Sequence, residues 1–230
     1  MREFMLDGRL SSAAKFVRQG AVFADIGTDH AHLPIFLLKS GVIDRAVCSD
    51  INEGPLAKAR ENASDAGLLS KIDFVLTDGA AALSEYGITD AAICGMGGEL
   101  IARIISDAPY LHRKGIRLIL QPMSRVAHLR GKLAALGFSV LDESYSESDG
   151  KLYVCIMAEY TAEKKEISVI EAEIGRLFKD NDNNSCQIKY CEAKKRAYLR
   201  VAEGKRLGGA RDEYEQMLIR AIDERLKDLS

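Results

Sequence analysis

The chain has 230 residues, 47% of them apolar and 29% charged, with a formal net charge of −2 at pH 7. That profile fits one globular domain with a smaller appendage. It excludes a uniformly basic nucleic-acid binder but leaves a local basic patch open. No run approaches the roughly 18 apolar residues of a membrane helix, and Met1 to Asp7 lacks a signal-peptide core. Cys48, Cys94, Cys155, Cys186 and Cys191 include no C-x-x-C pair. They read as small buried residues of a reducing cytoplasm, and no metal site is expected.

Leu6 to Val17 carries apolar residues at 10, 13, 14 and 17, one face of a helix that Gly20 ends. Val22 to Ile26 is a short apolar run, long enough for a buried strand. A turn at Gly27 comes next, then a helix over 33–40 with Pro34 in its first turn. A second strand, Ala46 to Ser49, ends in Asp50, 23 positions after Gly27. A helix carrying Leu56, Ala59, Ala63 and Ala66 then closes at Gly67. Ile72 to Leu76 is a third strand, followed by Thr77-Asp78-Gly79 and a small-residue helix. Asp90 to Cys94 is a fourth, ending in Gly95-Met96-Gly97-Gly98, with a helix from Glu99 to Ile105. Arg117 to Gln121 is a fifth, capped by Pro122. A helix over 125–136 leads to a closing pair, Phe138 to Glu143 and Tyr153 to Glu159.

Strands alternating with helices mean a parallel sheet with helices on both faces. The closing hairpin adds an antiparallel strand, expected at the sheet's edge. This is a Rossmann-like α/β fold in the seven-stranded arrangement of a class I methyltransferase, rather than that of a nicotinamide-binding domain. After Tyr160 no strand-like run remains. Ile167, Ile170, Ile174 and Leu177 are spaced as a heptad seam, and Asp180 to Ser185 is turn-like. Ile188 to Glu203 is a helix broken by Gly204 to Gly209, and Tyr214, Leu218, Ile222, Leu226 and Leu229 form a last stripe. The expected division is 1–160 for the sheet domain and 161–230 for a small helical domain with coiled-coil packing.

Chemistry concentrates where parallel sheets bind ligands, beyond the carboxyl ends of the strands. The turn at Gly27 is neither the dinucleotide fingerprint, which needs glycines where this chain has Asp29 and His32, nor a phosphate loop. Asp25-x-Gly27-x-Asp29-x-Ala31 is similar to the acidic-x-G-x-G-x-G loop of S-adenosylmethionine methyltransferases, with Asp29 and Ala31 in place of two glycines. Asp50 is the candidate ribose ligand, with helix capping as the competing role. Asp78 and Gly79 are placed for the adenine end of a cofactor, or for a plain turn. Three glycines in four positions at Gly95, Gly97 and Gly98 are costly unless something lies against the backbone, and Met96 could pack on a ring or in a core. A metal site at His30 and His32 finds no third ligand; His30 otherwise caps the helix or supports the turn. From Cys186 to Arg211, eight basic residues face two acids, so Lys194, Lys195 and Arg200 either track a phosphate backbone or form a solvated face.

Together, Asp25-Ile-Gly-Thr-Asp-His-Ala-His-Leu-Pro34, Asp50-Ile-Asn-Glu-Gly-Pro55, Gly95-Met-Gly-Gly98, Leu120-Gln-Pro122 and Glu147-Ser-Asp-Gly-Lys151 resemble the bacterial TrmK family. Those enzymes are tRNA (adenine-N1)-methyltransferases acting on adenine 22 of the D-arm. The resemblance spans essentially the whole chain, although family members commonly carry tyrosine where this chain has His32. It implies a cytoplasmic enzyme with S-adenosylmethionine as cofactor and tRNA as partner; the oligomeric state stays open, a monomer being the simpler reading. It implies cofactor contacts at Asp25, Gly27, His30, Asp50, Ile51, Asp78, Gly79 and Gly95. Substrate contacts fall to Met96, Gly97, Gly98, Lys194, Lys195 and Arg200. Asp29 becomes the catalytic candidate, stabilising charge on the base or accepting from its exocyclic amine. A methyltransferase of another RNA or of a protein, and a non-catalytic RNA-binding protein on the same fold, are the competing readings.

Overall fold

The computed structural model describes residues 5–176 and 184–229. The elements run α1 (Gly8–Ala14), β1 (Val22–Ile26), α2 (His32–Lys39), β2 (Arg45–Asp50), α3 (Glu53–Asp65), β3 (Ile72–Leu76), β4 (Asp90–Gly97) and α4 (Gly98–Ser106). They continue with β5 (Arg117–Ser124), α5 (Val126–Leu136), β6 (Phe138–Ser148), β7 (Lys151–Tyr160), α6 (Val169–Ile174), α7 (Asn184–Leu207) and α8 (Glu213–Leu229). The strands form one seven-stranded sheet in the order β3-β2-β1-β4-β5-β7-β6. The first five are parallel, and β7 is antiparallel to both β5 and β6. Two apolar layers cover the sheet, one built on Ile101, Ile105, Leu118 and Leu133, the other on Phe23, Ile35, Leu37 and Ile119.

The antiparallel strand does not lie at the edge, as the hairpin alone suggested. β7 sits one strand in, between β5 and β6. Val154, Cys155 and Ile156 are consecutive and all buried, so both faces of this strand are covered and a neighbour on each side suits it. The hairpin is also longer than expected. Only Asp149 (φ 49°) and Gly150 (φ 69°) separate β6 from β7, the two-residue turn with left-handed residues that matches strand twist. The small-residue helix after Gly79 is a 3-10 turn over Ala81–Tyr86.

β4 does not stop at Cys94, nor β5 at Gln121. β4 continues as a bulged strand, Met96 opposite Pro122 and Gly97 opposite Ser124; a proline is tolerated at such a bulge because no ladder hydrogen bond is asked of it there. This extension explains Gly98. A Cβ on it would stand 2.5 Å from the carbonyl oxygen of Arg125 and 3.0 Å from that of Ser124. Both are backbone atoms of the neighbouring β5–α5 turn, so neither can swing aside. Gly98→Ala is expected to cost about 1–3 kcal/mol through overpacking, read as a lowered thermal midpoint; an unchanged midpoint would show that the two turns part freely.

The helical tail departs from a heptad pattern. Of the seam at Ile167, Ile170, Ile174 and Leu177, only Ile170 and Ile174 are helical, in the six-residue α6; Ile167 precedes it and Leu177 lies outside the described residues, as does most of Asp180 to Ser185. α7 runs without interruption through Gly204 to Leu207. α7 and α8 pack antiparallel, as the pairs Lys195–Asp223 and Lys205–Glu215 show. Their own apolar cluster is small: Ile174, Cys191, Ile222 and Leu229. α7 also joins the sheet's core, with the Tyr190 ring 5.1 Å from that of Tyr145.

Candidate active site

The turn after β1 is held to β2 through its backbone. Gly27 N–H and Thr28 N–H both donate to the Ser49 carbonyl, at 2.7 and 2.8 Å. With these two hydrogen bonds made, Gly27 sits in the left-handed region, φ +76°, where a side chain would be strained. Thr28 braces the turn from both sides: its hydroxyl donates to Asp25 at 2.6 Å and accepts from Ala31 N–H at 3.2 Å. Ala31, where related loops carry glycine, is itself left-handed at φ 53°. It precedes α2, so His30 is not the cap. His30 instead pairs with Asp29 at 3.3 Å and stacks on His32 with ring centroids 5.2 Å apart.

Beyond the carboxyl ends of β1, β2 and β4 lies a cleft in two halves. The first, about 420 Å³ with its open mouth, is lined by Asp50, Ile51, Asp78, Gly79, Leu100 and Arg103. The second, about 770 Å³, is lined by Arg9, Asp25, Thr28, Asp29, His30, His32, Cys94 and Gly95. Gly27 and Met96 border both halves. A Cβ at Gly27 would overlap the terminal methyl of Met96, so the thioether lies across Gly27 and divides the cleft. Being unbranched and flexible, methionine suits a wall that a ligand spanning both halves must move.

Asp50, on the wall of the first half, accepts Asn52 N–H on Oδ1 at 2.8 Å. Ile51 (60% exposed) and Leu100 (38% exposed) give that half an apolar lining open to solvent. In the second half Asp25 is buried, and its pKa rises from 3.8 to about 6. Burial is the main cause, the charge of Asp50 adds to it, and the Thr28 hydrogen bond opposes it. Burial and His30 lower the His32 pKa, with Asp29 and Asp7 acting the other way. Asp29 projects into the open, its side chain 79% exposed.

Two residues here were given no role in the site by the sequence reading, although Gln121 lies in the Leu120-Gln-Pro122 motif. Arg9 reaches the cleft from α1, held by Asp7 at 2.8 Å and by Gln121 Oε1 at 3.2 Å. Gln121 is fully buried, and the same oxygen accepts Gly95 N–H at 3.1 Å. Other expected residues lie elsewhere. Gly97 and Gly98 line neither half of the cleft; they face the turn after β5. Lys194 pairs with Glu173 at 2.9 Å and Lys195 with Asp223, tying α7 to α6 and α8. Arg200 is exposed on α7. None of these three cations lines the cleft.

Residues 6–156 match the family described as a methyltransferase domain. The tRNA (adenine(22)-N(1))-methyltransferase of Bacillus subtilis is 35% identical over 159 residues, 69% of this chain and 67% of that protein. The chain belongs to the TrmK family. TrmK of M. capricolum, solved with its cofactor product S-adenosyl-homocysteine, superposes with a TM-score of 0.78 at 26% identity, covering 98% of this chain and 100% of that one. A Streptococcus pneumoniae protein solved with S-adenosyl-L-methionine gives a TM-score of 0.81 at 31% identity, covering 96% and 100%. The likeness to these TrmK-type structures thus extends through α6–α8, beyond the methyltransferase domain itself.

Proposed function

We propose that this chain transfers a methyl group from S-adenosylmethionine to N1 of adenine 22 in the D-arm of tRNA. The observation that carries the reading is the divided cleft: a half lined by Asp50, Ile51, Asp78 and Leu100, joined at Gly27 and Met96 to a half holding both the Asp25 carboxyl and the Arg9 guanidinium. The donor set fits this cofactor. Asp50 Oδ2 would take a ribose hydroxyl, Ile51 and Leu100 the faces of an adenine, and Asp78 its amino group. Asp25 and Arg9 would take the ammonium and carboxylate of the amino-acid end. When bound, S-adenosylmethionine supplies an electrophilic methyl group.

Neutral adenine N1 already carries a lone pair, so the protein's task is to receive an unstacked base and hold it in line. Methylation at N1 makes the ring cationic. Asp29, in the open part of the second half, lowers the cost of that charge. Such an enzyme works where tRNA is, in the cytoplasm; among the described residues no helix is long and apolar enough to cross a membrane.

Incubation with labelled S-adenosylmethionine and unmodified tRNA, followed by mapping of the methylated position, tests the reading. Label at N1 of adenine 22 is the expected result, and label on no RNA would overturn it. Asp50→Ala should weaken S-adenosylmethionine binding by about 1.5–3 kcal/mol, the worth of hydrogen bonds to a charged acceptor. Calorimetry that found the wild-type affinity would remove Asp50 from the ribose end.

A further inference from the structure

Of the three cations expected to meet RNA, only Arg200 is without an ion pair among the described residues, and it stands on α7, outside the lining of the cleft. Lys194, Lys195 and Lys205 of α7 are held by Glu173, Asp223 and Glu215, inside the helical tail. A different surface adjoins the cleft. At the carboxyl end of β5, beside Gly97 of β4, the chain exposes Met123 (46%) and the side chain of Arg125 (71%).

Arg125 has an unusual backbone. It is left-handed, φ 55° and ψ 37°, a region that suits glycine and that a long side chain occupies only under strain. Its carbonyl is fixed, accepting Leu129 N–H at 3.1 Å and packing on Gly98. The direction in which the side chain leaves the turn is therefore set. Yet among the described residues its guanidinium pairs only with Glu99, at 3.5 Å and in the open, a contact worth little to stability. Strain kept for a side chain with little to do internally points outward.

Met123 shares the location. Its sulfur lies 4.0 Å from Arg9 Nη1 and 3.7 Å from Gln121 Nε2, next to the wall of the cleft. Its exposed flank is apolar, a surface a nucleobase can stack on. Lys151 opens β7, the strand beside β5, at the same edge of the sheet. It is exposed and has no acid partner within 4 Å among the described residues. Asp149, at the tip of the same hairpin, keeps this end from being strongly basic.

We infer that the carboxyl end of β5, with the adjoining amino end of β7, is the docking surface for the RNA substrate: Arg125 and Lys151 hold phosphates flanking the target adenosine, and Met123 supports an adjacent base. This rests on the tRNA methyltransferase reading and names the surface it uses. An RNA strand is the fitting occupant because the rim alternates cation and apolar face beside a cleft that takes one base.

The test uses the full chain and an unmodified tRNA. Arg125→Gly puts at this position the residue its backbone favours, so the fold should keep its melting temperature and its affinity for S-adenosylmethionine. The KM for tRNA should rise several-fold, and the slope of log affinity against log salt should shrink by about one. Adding Lys151→Ala should shrink it by about one more, while Arg125→Lys, which keeps the charge, should recover most of the loss. If wild-type protein methylates tRNA and the double variant keeps its KM and salt slope, the docking surface is overturned while the enzymatic reading stands. Wild-type protein that does not bind tRNA overturns both.

Discussion

Glu143→Ala should cost about 3–5 kcal/mol of folding stability, the scale of breaking a buried ion pair from one side. Glu143 is fully buried and Arg130 is 3% exposed. They form a two-pronged pair, Nε to Oε1 at 2.6 Å and Nη2 to Oε2 at 3.0 Å. The Tyr145 hydroxyl donates to the same carboxylate at 2.7 Å. Alanine at 143 would leave a guanidinium that cannot shed its proton among apolar neighbours. A hole left by the carboxylate is a lesser loss than the charge left unpaired. Denaturant unfolding measures the effect. The double change Arg130→Met with Glu143→Leu should recover most of it, because removing both charges removes the desolvation cost as well. A loss below about 1 kcal/mol for Glu143→Ala would mean water reaches the pair.

The same pair joins the tail to the sheet. Arg130 Nη1 donates to the Ala172 carbonyl of α6 at 2.8 Å. Gly175, directly after α6, lies so close to Glu143 that a Cβ there would overlap the carboxylate. The sheet domain and the helical tail therefore share a polar junction as well as the Tyr145–Tyr190 contact. A chain cut after Tyr160 would lose more than a surface appendage: Arg130 would lose a carbonyl acceptor, and Tyr145 its cover.

How much of this was legible in the sequence depends on the distance over which each feature is decided. β1 and β3 were bounded to the residue, because a short apolar run between polar turns is a local signal. Gly27, Asp50, Asp78 and Gly95 were placed at the cleft because position after a parallel strand is enough to locate them. For Gly98 the sequence signal was incomplete. Glycine shows that something approaches, but not what; here it is the backbone of the β5–α5 turn. The place of β7 was a choice between two neighbours, settled by contacts between β5 and β7 that are far apart in sequence. Arg9 belongs to an amphipathic helix with no motif. Its role comes from Gln121, 112 positions away. The basic run on α7 counted charges correctly, but the acids that hold Lys194, Lys195 and Lys205 come from α6 and α8, which a count along one helix leaves out.

Asp25→Asn should make the protein more stable at neutral pH and worse at holding its cofactor. Burial, with help from Asp50, raises the Asp25 carboxyl from 3.8 to about 6. Between those two values the folded chain keeps a proton that the unfolded chain has released. Stability therefore falls as pH climbs from about 4 to about 6, then levels. A shift of about two units corresponds to about 3 kcal/mol at most. Asparagine carries no such charge, so the variant's stability should be flat through that window, apart from groups elsewhere, and higher at pH 7. Binding runs the other way. An ammonium or sulfonium near Asp25 favours the carboxylate, so affinity for S-adenosylmethionine should rise with pH up to about 6, by at most tenfold per unit, and flatten above it. The Asp25→Asn variant should bind more weakly and without that rise. Calorimetric titrations at pH 5, 6, 7 and 8, paired with melts of the same samples, separate the two effects. Wild-type affinity that is flat from pH 5 to 8 would show that Asp25 makes no contact with the charged end of the cofactor. Its burial beside Thr28 would then serve the turn alone.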